Sequence, residues 1–113
     1  MRQLEGITAT PLQKFTTRTD EGDMININLR YMPTIQRWFM DLQYKDFVLN
    51  GYKIYVSDNI LWTFRNILPF GIVVTCKEFE PFLVDDFSSG RVKLYLLDHD
   101  EVTRLETIYT QAK

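Results

Sequence analysis

Cysteine and histidine occur once each, as Cys76 and His99, and that scarcity removes several chemistries. A single cysteine closes no internal disulfide, so a reducing compartment is expected. One thiol and one imidazole also fall short of a zinc site, which draws on several such ligands. Long hydrophobic runs are missing too. The longest uncharged stretch, Asn66 to Cys76, contains Pro69 and Gly71 and is too short to span a bilayer. The first 25 residues carry no apolar segment of the secretory kind. The expectation is a soluble protein made in the cytoplasm, without a membrane partner. Nor does one sign of charge dominate. Thirteen bases stand against fifteen acids, and the bases are scattered singly from Arg2 to Lys113. No basic stripe could neutralise a row of phosphates, so no nucleic-acid partner is expected. A Gly-x-Ser-x-Gly elbow, a phosphate loop and a dinucleotide fingerprint are all absent from the sequence.

What is present is ordinary globular material with many rings. The 113 residues are 45% hydrophobic and 25% charged, enough for one domain with a modest core. Aromatics reach 14%, which suits strands and contact surfaces better than a helical bundle. Charge is unevenly placed. From Glu78 onward there are eight acids and four bases, which leaves the preceding part slightly basic.

Period two runs through most of the chain. In "MININLRY" Ile25, Ile27, Leu29 and Tyr31 share one face, and Asn26, Asn28 and Arg30 share the other. The turn chemistry of Asp20-Glu21-Gly22-Asp23 makes "QKFTTRT" the preceding strand of a hairpin. "RWFMDLQY" alternates through Trp38, Met40 and Leu42. Asn50-Gly51, between "YKDFVL" and "YKIYV", has the residue preference of a type I′ turn. That hairpin would pair Leu49 with Tyr52 and Phe47 with Ile54. "SDNILWTFRNILPF" reads as a loop with a short helical turn, and "GIVVTCKE" and "RVKLYLLD" as two further strands. The sum predicts an all-β single domain over residues 1–113, an antiparallel barrel or sandwich of about seven to eight strands.

The stretch "DDFSSGRVKLYLLDHDEV" gathers carboxylates at both ends of a strand. Asp98, His99, Asp100 and Glu101 lack the glycine and the distant glutamate of a helix-loop-helix calcium site, since Thr103 and Tyr109 hold those places. A solvated turn ending the strand is the reading. Asp85 and Asp86 are adjacent, so on a strand they would point to opposite faces and not flank one bond. Turn capping fits them better. Cys76 shares a strand face with Ile72 and Val74, as a buried, inert thiol would. The aromatics offer the remaining candidates. Trp62, Phe64, Phe70, Phe79 and Phe82 fall in or beside loop-like segments near Pro69 and Pro81, where rings either close the core or anchor a partner.

Three stretches in order resemble one family. "ITATPLQKFTTRTDEG" (Ile7 to Gly22) is similar to an opening strand and hairpin, and "RWFMDL" (Arg37 to Leu42) to an Arg-Trp-apolar strand. "DDFSSGRVKLYLLDHDEV" resembles the family's ending. The family is that of the small baseplate plug proteins of contractile-tailed phages. The resemblance implies a structural virion protein without catalytic residues, cofactor or metal. Its implied partners are tube, hub and spike proteins of the tail and copies of itself, packed around the tail axis where tube meets hub.

The residues by themselves leave two other functions open. One is a small cytoplasmic β-barrel that binds a ligand or peptide in an apolar pocket. The other is a hydrolase using Asp85, Asp98 or Asp100, which requires two of those carboxylates to converge in one cleft. A tube-end or hub-adaptor subunit would share the same size and fold.

Overall fold

Residues that alternate in the sequence alternate in space. The computed structural model, which describes residues 1–111, holds seven strands, one turn of 3₁₀ helix and one α-helix. The strands are β1 (Arg2–Gln3), β2 (Leu12–Arg18), β3 (Met24–Met32), β4 (Arg37–Tyr44), β5 (Phe47–Lys53), β6 (Gly71–Cys76) and β7 (Val92–Leu97). They form two antiparallel sheets, one ordered β2-β3-β4-β5 and the other β1-β7-β6. Ile25, Ile27 and Leu29 of β3 and Trp38, Met40 and Leu42 of β4 are fully buried. They share one core with Ile72 and Val74 of β6 and Val92, Leu94 and Leu96 of β7. Each such side chain contributes about 1.5–3 kcal/mol by leaving water. The two sheets remain separate, so the barrel alternative is replaced by two layers over one core.

The hairpins give the molecule two ends. Thr19 to Asp23 turns β2 into β3, with Gly22 at φ +91° donating to the Thr19 carbonyl at 2.9 Å. Pro33 to Gln36 turns β3 into β4 at the opposite end. The next turn departs from expectation. Tyr44 pairs with Phe47 across the two-residue loop Lys45-Asp46, and Lys45 takes the positive φ. Asn50-Gly51 is therefore no hairpin turn. It is a bulge inside β5, two residues opposite Asp41 where the register shifts between Met40 and Leu42. Gly51 does adopt the positive φ that the Asn-Gly pair favours, and its N–H donates to Asp41 Oδ1 at 2.7 Å. The extra residue preserves the expected face: Phe47, Leu49, Tyr52 and Ile54 still point inward, while Val48 and Lys53 point out.

The second departure is α1 (His99–Gln111). The acidic cluster expected as a solvated turn starts a helix, so the fold is mostly β and not all-β. Glu101 N–H donates to Asp98 Oδ1 at 2.8 Å, and Asp98 N–H donates to Glu101 Oε1 at 3.1 Å. This reciprocal capping box satisfies two amides at the helix start. Hydrogen bonds from the Glu101 amide, together with other partners, hold the Asp98 carboxyl below its usual range although burial opposes them. Among the described residues, no helix is long and apolar enough to cross a membrane.

Candidate functional site: an apolar end held by a buried ion pair

The segment between β6 and β7 forms the end of the molecule that also carries the β3–β4 turn. Its organiser is Asp86, fully buried, facing Arg91 five residues on. Arg91 Nε donates to Asp86 Oδ1 at 2.7 Å and Nη2 to Oδ2 at 2.9 Å. The same Oδ2 accepts the amides of Phe82 and Leu83, each at 2.7 Å. Burial alone would raise the Asp86 pKa. The Arg91 guanidinium and these two amides outweigh it and hold the carboxyl below its ordinary value. Turn capping is thus only half of its role, and the ion pair is the other half.

Arg91 also reaches past Asp86. Its guanidinium donates to the carbonyls of Glu78 and Glu80 and to Cys76 Sγ, and it lies 4.7 Å from the Phe82 ring centroid. Cys76 is accordingly half-buried beside a cation and not sealed in the core. From the other sheet, Tyr31 Oη donates to the Phe82 carbonyl at 2.7 Å and Trp38 Nε1 to the Leu83 carbonyl at 2.9 Å. The backbone on both sides of Phe79 is therefore clamped. Phe79 itself sits at φ +56° and is 86% exposed as a residue. That conformation costs a non-glycine residue about 1–2 kcal/mol, and the clamp supplies what holds it.

Other exposed apolar side chains belong to the same end. Glu80 Oε2 accepts the Val56 amide at 2.7 Å, which brings Tyr55 and Val56 to the Phe79 loop. Leu83 follows the clamp directly, and Met32 and Ile35 lie at the β3–β4 turn. Exposed apolar side chains gathered at one end of a domain are a common mark of a protein-contact site.

The five aromatics singled out from the sequence do not act together. Phe79 stands free at this end, and Phe82 lies half-buried beneath Arg91. Trp62 packs edge-on against Tyr109 of α1 at 4.8 Å, with the Arg65 guanidinium 4.3 Å from its ring. Phe64 fills the space between Phe47 and Tyr52. Phe70 is 1% exposed and edge-on to Tyr44, so it closes the core and offers no free surface. Met32, Ile35, Tyr55, Val56 and Leu83 were not singled out. An isoleucine in a turn after Pro33 is a signal available in the sequence.

The opposite end is acidic. Asp20, Glu21, Asp98, Asp100 and Glu101 line a cleft of about 350 Å³ beside the β2–β3 turn. Asp20 has a raised pKa, first from partial desolvation and then from the neighbouring Asp98 charge. Asp98 and Asp100 both border this cleft, but Asp98 is engaged as the helix cap. Asp85 lies at the other end, where its carbonyl accepts the Ser89 amide. The cleft is mixed in character, its carboxylates facing Arg2 and an apolar wall of Met1, Pro69, Leu96 and Leu97. Among the described residues no group of His, Cys, Asp and Glu is arranged to hold a metal ion.

No curated protein matches the chain. A family model described as the cyanophage baseplate Pam3 plug gp18 matches residues 1–100, which takes in both sheets, the Phe79 loop and Asp98 at the start of α1. The chain belongs to this family of phage baseplate plug proteins.

Proposed function

We propose that this chain is a structural subunit of a contractile tail, seated in the baseplate where the tube meets the central hub and spike. Its work is contact. The apolar end around Phe79 docks on a neighbouring tail protein, and several copies around the axis close the lumen until contraction. The single observation that carries the docking role is Phe79 itself. A ring held outward at positive φ by Arg91, Asp86, Tyr31 and Trp38 has no use inside its own domain. Rigid presentation of an aromatic anchor lowers the ordering cost of binding.

Family membership supports the location, since a plug is named for its place in a baseplate. Of the five aromatics, Phe79 and Phe82 are the ones assigned here to partner contact. Quantitative peptide mass spectrometry on purified particles, scaled to the major tube protein, tests the reading. A small fixed copy number per particle is expected. Abundance in the lysate with absence from intact particles would overturn it.

A further inference from the structure

A sheet has two edges, and this fold disposes of its edges unequally. β6 is covered on its outer side: Ser57 exchanges backbone hydrogen bonds with Val74, and the Ile60 amide donates to the Ile72 carbonyl. β5 is broken by the Asn50-Gly51 bulge, and β1 has only two residues. These are ordinary ways of protecting an edge. β2 has none of them. Its seven residues pair with β3 in an unbroken register from Leu12↔Arg30 to Arg18↔Met24, and among the described residues no strand lies on its outer side.

The parity of that ladder identifies the open groups. The Tyr31 amide donates to the Pro11 carbonyl and the Thr19 amide to the Asp23 carbonyl, so hydrogen-bonded pairing falls on the odd-numbered residues of β2. The backbone N–H and C=O groups of Leu12, Lys14 and Thr16 therefore point outward. Arg2 Nη2 takes the next outward carbonyl, that of Arg18, at 2.7 Å. The edge is also locally basic. From Ile7 to Thr19 there is no acid, while Lys14 and Arg18 flank the open groups and Arg2 reaches in from β1.

We infer that β2 accepts an added antiparallel strand from another tail protein, an extended segment with carboxylates at alternate positions. The inference rests on the baseplate reading for its source of partners. Strand addition uses main-chain hydrogen bonds for affinity and alternate side chains for selection. Charge argues against a second copy as the strand. In the fully overlapped self-pairing, Lys14 lies diagonally across from both Lys14 and Arg18 of the other copy. In the adjacent registers it stands directly opposite one of them. Lys14 and Arg18 thus discourage self-association and select an acidic strand.

Proline separates this from a general loss of fold. Thr16→Pro removes an outward N–H and leaves the β3 ladder intact, which an edge position tolerates. The variant is expected to keep the wild-type circular dichroism and melt within a few degrees of it. Its copy number in particles is expected to fall at least tenfold. Lys14→Glu is expected to lower incorporation similarly. Wild-type incorporation of Thr16→Pro would overturn strand addition, and wild-type incorporation of Lys14→Glu would overturn the acidic partner. Should Thr16→Pro fail to fold, residue-resolved amide exchange on the wild-type chain decides. Lys14 and Thr16 amides should exchange fast in the isolated chain and slowly in purified tails. Fast exchange in tails that contain the chain would overturn the inference alone, and absence of the chain from tails would overturn the baseplate reading with it. Protection that grows with concentration of the isolated chain would identify a second copy instead.

Discussion

Replacing Asp86 by alanine should cost about 3 kcal/mol of folding stability. Removing one partner of a buried pair typically costs 3–5 kcal/mol, because the other charge is left without compensation. Here the Phe82 and Leu83 amides also lose their acceptor, at about 1 kcal/mol each. Against this, the Arg91 side chain retains 18% of its exposure and can turn partly to water, so the lower end of the range applies. At about 4 °C per kcal/mol for a domain of this size, the melting temperature should fall by roughly 12 °C. Urea unfolding at pH 7 reads the loss directly. The pH dependence gives a second check with a definite sign. The folded carboxyl titrates below its ordinary value, so its contribution is complete above about pH 4 and disappears as pH falls toward the folded pKa. The gap between wild type and variant should therefore narrow below pH 4. Asp98 is shifted in the same direction and contributes to the acid sensitivity of both proteins, which the difference removes. Because Arg91 pins the carbonyls flanking Phe79, trypsin should also cut the variant faster at Lys77. A loss under 1 kcal/mol, or a gap unchanged down to pH 3, would refute the reasoning.

Two smaller perturbations test the frame around the site. Gly71→Ala should destabilise by about 1–3 kcal/mol, since its Cβ would stand 2.7 Å from the Asn59 carboxamide. Asn59 cannot retreat while its Oδ1 accepts the Leu61 and Ile72 amides, and an unchanged urea midpoint would contradict that account. Asp98→Ala should cost about 1 kcal/mol and fray the start of α1, seen as weaker far-ultraviolet helix signal; full retention of that signal would remove the capping box as its cause.

How much of this was legible depends on the range of the interactions involved. Alternation in β3 and β4 is a local consequence of the pleat, so Ile25 to Leu29 and Trp38 to Leu42 declared their buried face in the sequence. Asn50-Gly51 declared a positive φ but not its use. The same backbone angle serves a turn or a bulge, and the choice was set by Asp41 on the neighbouring strand accepting the Gly51 amide. The helix was legible in principle, because an acid three residues before Glu101 is a capping signal. Its apolar stripe is thin, with Val102 alone fully buried among the described side chains, so periodicity did not announce it. The Asp86–Arg91 pair depends on the loop folding back on itself, and nothing in the spacing reveals that. Phe79 was visible as a loop aromatic, whereas its exposure became apparent only when the partners of its neighbours were known. Phe70 shows the limit of that signal: a ring beside a proline is equally suited to closing a core.

Cryo-electron microscopy of the baseplate in extended tails tests the central claim most directly. The account predicts copies of this fold on the tail axis between tube and hub, with Phe79 buried against a neighbouring protein. Copies at the baseplate periphery, or copies on the axis with Phe79 facing open solvent, would contradict it.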